Sequence, residues 1–149
     1  FQYNKRKFYH NRFPSTEIYT NTTVTNSASI PDGIVEELLL KLEEFERDKK
    51  YLSKCITLNS LAKEIHTNTN YLSKIINNFK GSSFSNYLNT FRINYIVAEL
   101  NENSQLRKFT IQALAEEAGF NNSESFSKAF YKITNAKPSA YIKELENNY

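Results

Sequence analysis

The sequence is poor in the residues that build metal sites, disulfides and tight turns. Its 149 residues include one cysteine, two histidines, three glycines and three prolines. A single cysteine excludes an internal disulfide and a multi-cysteine zinc site, and it indicates a reducing compartment. The two histidines are far apart in the sequence, so neither a metal centre nor any other cofactor is expected.

The scarcity of turn formers also limits the fold class. β-Sandwiches and barrels need turn signals every 8–12 residues or so, and six glycines and prolines cannot supply them. No apolar run reaches the roughly 18 residues of a membrane-spanning helix, so this sequence is not expected to cross a membrane. With 40% hydrophobic residues the chain can build a real core, and we expect an all-α domain of about seven helices.

Charge is unevenly distributed along the chain. Residues 1–13 carry four basic side chains and no acidic one, residues 14–51 have a net charge of −4, and residues 52–149 have a net charge of +3. Serine, threonine and asparagine dominate from Pro14 to Ser29 without helical or strand periodicity. Residues 1–30 are therefore interpreted as a basic stub with a flexible linker, and residues 31–149 as the domain.

The first predicted helix of the domain covers residues 32–50. Its apolar residues recur at helical spacing, and acidic residues lie near its start while lysines lie at its end. Because this amphipathic helix is also acidic, one alternative function is a helical protein-interaction or dimerisation module that docks through it.

The most informative feature is an internal repeat. Residues 57–65 and 110–118 are offset by 53, and each segment starts with a threonine and has apolar residues at positions 2, 5, 6 and 9. This pattern predicts a short helix with a threonine N-cap in each copy. Beyond the following turn the offset becomes 54, and Asn68 is matched with Asn122. Asparagine is a good N-cap, so a second helix is predicted to start there in both copies.

Each copy therefore contains two short helices joined by a tight turn. The second helix has an apolar side and a small polar side with a lysine, and it is predicted to end at Gly81 or Asn135, which tolerate a left-handed conformation. Such a pair is typical of the helix-turn-helix motif, whose second helix reads DNA. One unit alone is a weak signal, but two in register are a strong one. The predicted units cover about residues 57–81 and 110–135.

A segment without glycine or proline, residues 83–101, separates the two units. Its apolar residues predict one helix, roughly 25–27 Å long at about 1.5 Å per residue. A rod of that length can hold two reading helices near the roughly 34–36 Å spacing of successive major-groove segments. The predicted architecture is two helix-turn-helix subdomains bridged by a long central helix.

Several short motifs are distributed over both units and the bridge. They are Leu61-Ala62, Tyr71-Leu72-Ser73-Lys74, Gly81, Phe84-Ser85-Asn86-Tyr87-Leu88, Phe91-Arg92-Ile93, Ala115-Glu116-Glu117-Ala118-Gly119-Phe120, Ser125-Phe126-Ser127-Lys128-Ala129-Phe130 and Pro138-Ser139-Ala140-Tyr141. With these motifs, residues 34–146 resemble the DNA-binding domain of AraC-type (AraC/XylS) transcription regulators. Asn135, Lys137 and Ile142 depart from the residues usual in that family. The resemblance implies sequence-specific binding of double-stranded DNA and regulation of transcription.

By position, the resemblance implies base-edge contacts from two sets of four side chains. They are Asn70, Ser73, Lys74 and Asn77 in the first unit, and Ser123, Glu124, Ser127 and Lys128 in the second. The chemistry is suitable, since lysine donates to guanine, asparagine pairs with adenine and glutamate accepts from cytosine. Backbone N–H groups at the helix starts near Thr57 and Thr110 are candidates for phosphate contacts.

Two charged residues allow more than one interpretation. Glu124 would repel phosphates unless it reads a base. Arg92 lies on the mostly apolar bridging helix, where pairing with a carboxylate is favoured over a contact with DNA. The sequence contains no nucleophile–base pair, no carboxylate dyad and no phosphate-binding glycine loop, so an enzyme is not expected. No small-molecule ligand site is evident either.

The N-terminal segment bears on location and partners. Basic and aromatic residues alternate in residues 1–13, which resembles the cytoplasmic exit of membrane-anchored sensors that end in this type of regulator. A plain tail or a nonspecific phosphate-binding arm is the alternative. We expect a cytoplasmic location. Double-stranded DNA is the expected partner, and RNA polymerase and a second copy of the protein, joined through regions outside or at the start of this chain, are further candidates.

Overall fold

The computed structural model describes residues 29–148, and these residues form helices and connecting turns without a strand. The α-helices are α1 (Asp32–Arg47), α2 (Leu58–Glu64), α3 (Thr69–Lys80), α4 (Phe84–Glu102), α5 (Ile111–Glu117), α6 (Ser123–Thr134) and α7 (Pro138–Asn147). Short 3₁₀ helices lie at Lys50–Leu52 and Leu106–Lys108. The predicted all-α fold with about seven helices is confirmed. The basic stub and nearly all of the predicted linker lie outside the described residues.

Two hydrophobic cores form around the two halves of α4. The first half of α4 packs with α1, α2 and α3, and this core contains the fully buried Leu42 and Leu72. The second half packs with α5, α6 and α7, and its core contains the fully buried Ile96 and Phe126. Tyr95 packs against both cores. Each copy of the repeat therefore has its own core, and α4 is the element that both cores share.

Helix α1 buries its apolar side inside the same chain. Leu38, Leu42 and Phe45 are buried in the first core. All three belong to the apolar stripe that is predicted from the sequence for this helix. A docking or dimerisation module would need that stripe to be available to a partner. The alternative of an interaction module acting through residues 32–50 is therefore not favoured.

Polar contacts also tie α1 to the first unit. Lys41 Nζ donates to the carbonyl oxygen of Ile65, in the turn after α2, at 3.0 Å. Glu46 accepts from Lys80 at 3.0 Å and from the Tyr87 hydroxyl at 2.8 Å. Burial, reinforced by the Glu46 carboxylate, raises the pKa of Tyr87, so its hydroxyl remains a hydrogen-bond donor. These contacts connect α1 with the turn between α2 and α3, with the end of α3 and with α4.

The predicted helix caps are present in both copies of the repeat. The Asn68 side chain accepts from the backbone N–H of Tyr71, and the Asn122 side chain accepts from that of Ser125, each at 2.8 Å. Such bonds satisfy amide groups that have no partner inside the helix. At the other end of α3 and α6, Gly81 and Asn135 adopt the left-handed conformation that the sequence predicts, with φ of 63° and 60°. These caps fix where α3 and α6 begin and end.

A buried arginine joins α4 to the segment that follows α1. Arg92 donates through Nε to the carbonyl of Tyr51 and through a terminal nitrogen to that of Ser53, both at 2.7 Å. Its guanidinium also lies over the Phe120 ring, 5.5 Å from the centroid. The predicted structural role is present, but the expected carboxylate partner is wrong, because Arg92 binds main-chain carbonyls. Burial alone lowers the pKa of Arg92.

Gly119 lies at the same junction, in the turn between α5 and α6. Its φ is +84°, and a Cβ placed there would be 2.5 Å from the carbonyl oxygen of Leu52. The matched position of the first unit is His66, which also has a positive φ, of 60°, but is exposed. Of these two matched positions, Gly119 is thus the one that is packed against the backbone of the other half of the domain.

Candidate nucleic-acid interface

The first candidate surface lies on α3. Its apolar side buries Leu72, Ile75 and Ile76 in the core, which leaves the other side to solvent. All four predicted base-contact residues of this unit are on that outer side. Asn70 and Asn77 are exposed, and Ser73 and Lys74 are half-buried.

The second candidate surface lies on α6 and has the same arrangement. Phe126, Ala129 and Phe130 are buried, and the four predicted residues of this unit lie away from them. Glu124 and Lys128 are exposed, and Ser123 and Ser127 are half-buried. Each unit thus presents a narrow polar side on a helix whose opposite side is fixed by its core.

The two surfaces differ in how their lysines are held. Lys128 Nζ lies 2.9 Å from Glu124 Oε1, an i,i+4 ion pair whose side chains are 77% and 78% exposed. The hydrogen bond and charge of Lys128 lower the pKa of Glu124, and the same bond raises the pKa of Lys128. Lys74 has no ion-pair partner within residues 29–148. Of these two lysines, Lys74 is therefore the one without an ion pair within residues 29–148, whereas on α6 the two predicted contacts are coupled.

The two candidate phosphate-contact positions are helix N-caps. Thr57 accepts from the backbone N–H of Ser60 at 3.0 Å, and Thr110 accepts from that of Ala113 at 3.1 Å. Both threonines are exposed. The cap satisfies one amide at the start of α5 and two at the start of α2, where the Thr57 N–H also donates to Ser60 Oγ at 2.9 Å. The other amides of the first turn have no partner inside their helix. These starts therefore offer donors to an anion through the main chain.

The ends of α3 and α6 border one cleft at the start of α4. Lys80 and Gly81 line it from the first unit, and Lys132 and Ile133 line it from the second, around a volume of about 230 Å³. Lys132 Nζ donates to Asn86 Oδ1 of α4 at 3.0 Å. The second helix of each unit thus ends at the same part of α4.

One exposed residue on α6 was missed by the sequence analysis as a candidate contact. Tyr131 is 55% exposed and lies on the polar side of α6. The signal was available in the repeat, since the offset of 54 matches Tyr131 with Asn77, a predicted contact. The helical spacing already places Tyr131 on the polar side of α6, but it was not among the predicted contacts.

Residues 29–148 contain neither a metal-binding cluster nor a membrane-spanning helix. No group of three or more histidine, cysteine or acidic side chains is arranged to hold a metal ion there. In the same range no helix combines the length and the apolar character needed to cross a membrane.

Comparisons with known proteins agree on the type of domain. A family model described as a helix-turn-helix domain matches residues 61–144. An uncharacterized HTH-type transcriptional regulator of Bacillus subtilis (strain 168), YtdP, is 31% identical over 86 residues, which cover 58% of this chain and 11% of that protein. The chain therefore spans about a tenth of the length of this relative.

Solved structures share the fold. The C-terminal domain of AraT, a response regulator from Geobacillus stearothermophilus, superposes with a TM-score of 0.62 at 24% identity, over 72% of this chain and 84% of that one. The DNA-binding domain of AdpA, a global transcriptional factor solved in complex with a target DNA, superposes with a TM-score of 0.59 at 16% identity, over 79% of this chain and 96% of that one. At these identities the likeness shows the fold.

Proposed function

Because this chain belongs to the AraC-type helix-turn-helix family, whose function is DNA binding in transcription regulation, we propose that α3 and α6 are its two recognition helices. In this proposal both helices enter the major groove of one duplex, in successive segments on the same side. Double-stranded DNA is the partner.

The observation that carries the proposal is the equivalence of the two polar surfaces. Both helices have an asparagine N-cap, a buried apolar side and a left-handed terminal residue, and their polar sides contain serine and lysine at matched positions. A single exposed lysine is ordinary on any surface. Two units that repeat the pattern on separately packed cores support a shared role for these surfaces.

We assign base contacts to the predicted residues on each helix. On α3 they are Asn70, Ser73, Lys74 and Asn77; on α6 they are Ser123, Glu124, Ser127 and Lys128. Amide and ammonium groups match the edges of adenine and guanine, and a carboxylate matches the cytosine amino group. The helix starts at Thr57 and Thr110 are assigned to phosphates, which set orientation without reading sequence. The AdpA domain, which has the same fold, has been solved with a target DNA.

In vitro selection from random DNA followed by footprinting tests the proposal. We expect an enriched site with two protected segments, centred about one helical turn of roughly 10–10.5 base pairs apart. Affinity should fall steeply with salt, since each neutralised phosphate releases counterions. A single short protected segment, or binding without any sequence preference, would contradict the assignment of two recognition helices.

Glu124→Ala should change specificity rather than simply improve binding. Removing the carboxylate frees Lys128 and removes a phosphate-repelling charge, so affinity for random-sequence DNA should rise. Affinity for the selected site should fall by about 1–3 kcal/mol, because the cytosine contact is lost. Competition titrations at fixed salt measure both quantities. If affinity for the two DNAs rises equally, Glu124 reads no base; Glu43→Ala, an exposed carboxylate on α1, is the control.

We extend the proposal to the location of the protein and to further partners. We place the domain in the cytoplasm, where its DNA would be, and residues 1–13 at the cytoplasmic side of a membrane anchor. RNA polymerase and a second copy of the protein are the proposed further partners. Membrane fractionation of the full-length gene product tests the anchor: recovery in the soluble fraction would contradict it.

A further inference from the structure

Tyr131 has an exposed aromatic ring that the core does not explain. Its exposed fraction is 55%, whereas Phe126 and Phe130 on the same helix are fully buried. Within residues 29–148 its side chain makes no ring contact, ion pair or hydrogen bond. The ring is therefore available to a partner, and the structure of the domain alone gives it no role.

The position of Tyr131 aligns it with the proposed base contacts. Residues 124, 127, 128 and 131 recur at spacings of three and four on α6, so they share one side of the helix. The repeat matches Tyr131 with Asn77, which is exposed at the same point of α3. An aromatic ring thus stands in the second unit where the first unit has an amide.

We propose that Tyr131 is a specificity-determining residue and that its ring packs against the 5-methyl group of a thymine in the major groove. The inference rests on the proposed function of α6. The thymine methyl is the apolar feature of the major-groove edge, and an exposed ring gains free energy by covering it. Asn77 would read adenine by hydrogen bonds, so the two half-sites differ in the chemistry that reads them. The operator is then asymmetric at the base pairs that face these two residues.

Replacing thymine by uracil in the selected site isolates the methyl group. Each thymine in the footprint of the second unit is replaced singly, and affinity is measured for the unmodified protein, Tyr131→Phe and Tyr131→Ala. We expect one replacement to weaken binding of the unmodified protein about fourfold, the effect of burying one methyl-sized group. Tyr131→Phe should show the same fourfold difference, because the ring is retained. Tyr131→Ala should bind the thymine and uracil sites equally.

Leu40→Ala is the control for the loss of an exposed apolar side chain outside α6. Leu40→Ala removes a side chain that is 62% exposed on α1, and it should keep the full thymine–uracil difference. If Tyr131→Phe weakens binding as much as Tyr131→Ala and every uracil site binds normally, the hydroxyl contacts a phosphate and the thymine contact is wrong. A thymine–uracil difference that persists in Tyr131→Ala also overturns it. Failure to select any site would instead overturn the recognition roles of both helices.

Discussion

Gly119→Ala is expected to lower the free energy of unfolding by about 3 kcal/mol. The new Cβ would meet the Leu52 carbonyl oxygen at 2.5 Å and its carbon at 2.8 Å, distances that require the backbone to move. The φ of +84° adds the cost of a left-handed conformation for a residue with a side chain. Overpacking of a fixed site and backbone strain each cost about 1–3 kcal/mol. Urea denaturation followed by circular dichroism measures the loss.

The other two glycines of the chain are controls for this substitution. Gly81→Ala has the same backbone strain, with a φ of +63°, but no atom within 4 Å, so it should cost only about 1–2 kcal/mol. Gly33→Ala lies inside α1 with open space around it and should stabilise the protein by about 0.5–1 kcal/mol. A loss for Gly119→Ala no greater than that for Gly81→Ala would mean that the contact with Leu52 is not close.

Features of local origin could be read from the sequence. The caps of α3 and α6 involve a side chain and an amide three residues away, so Asn68 and Asn122 identify them without any knowledge of the fold. The left-handed ends at Gly81 and Asn135 depend on a single residue each. The repeat strengthens this local evidence, because the same N-cap and the same type of helix end occur in both units.

Long-range contacts could not be read in the same way. The partners of Arg92 are carbonyls about 40 residues earlier, offered by a 3₁₀ turn that has no sequence signature. A guanidinium on an apolar helix indicates that some acceptor is needed, and the residue alone does not say which one. The close approach of Gly119 to Leu52 is equally invisible, since it depends on how the two halves pack around α4.

At the candidate interface the repeat predicts which residues lie on the polar sides of α3 and α6, but it does not predict which of them pair with each other. Glu124 and Lys128 were predicted as separate base contacts, although their i,i+4 spacing is that of an ion pair. In the structure they form this pair on the exposed surface of α6. Any contact with DNA by either side chain must break or share that bond. Lys74 carries no such constraint within the described part of the chain.

Lys74→Ala combined with Lys128→Ala is expected to weaken binding to the selected site by about 2–6 kcal/mol. Each lysine that reads a guanine contributes about 1–3 kcal/mol, and the losses should add because the two helices pack in different cores. Fluorescence anisotropy with labelled DNA measures the single and double variants. Lys143→Ala, an exposed lysine on α7, is the matched control for net charge.

The pairing on α6 predicts how the two single variants should differ. Lys128→Ala leaves the Glu124 carboxylate without its cation and facing phosphates, so part of its loss should be repulsion. On random-sequence DNA, where Glu124 reads no base, adding Glu124→Gln to Lys128→Ala should then restore part of the affinity, whereas adding it to Lys74→Ala should change affinity only as Glu124→Gln does alone. A shallower salt dependence with an equal loss on every sequence would show that the lysines contact phosphates only. Unchanged affinity in the double variant would remove both helices from the interface, because no other matched pair of cations lies on their polar sides within residues 29–148.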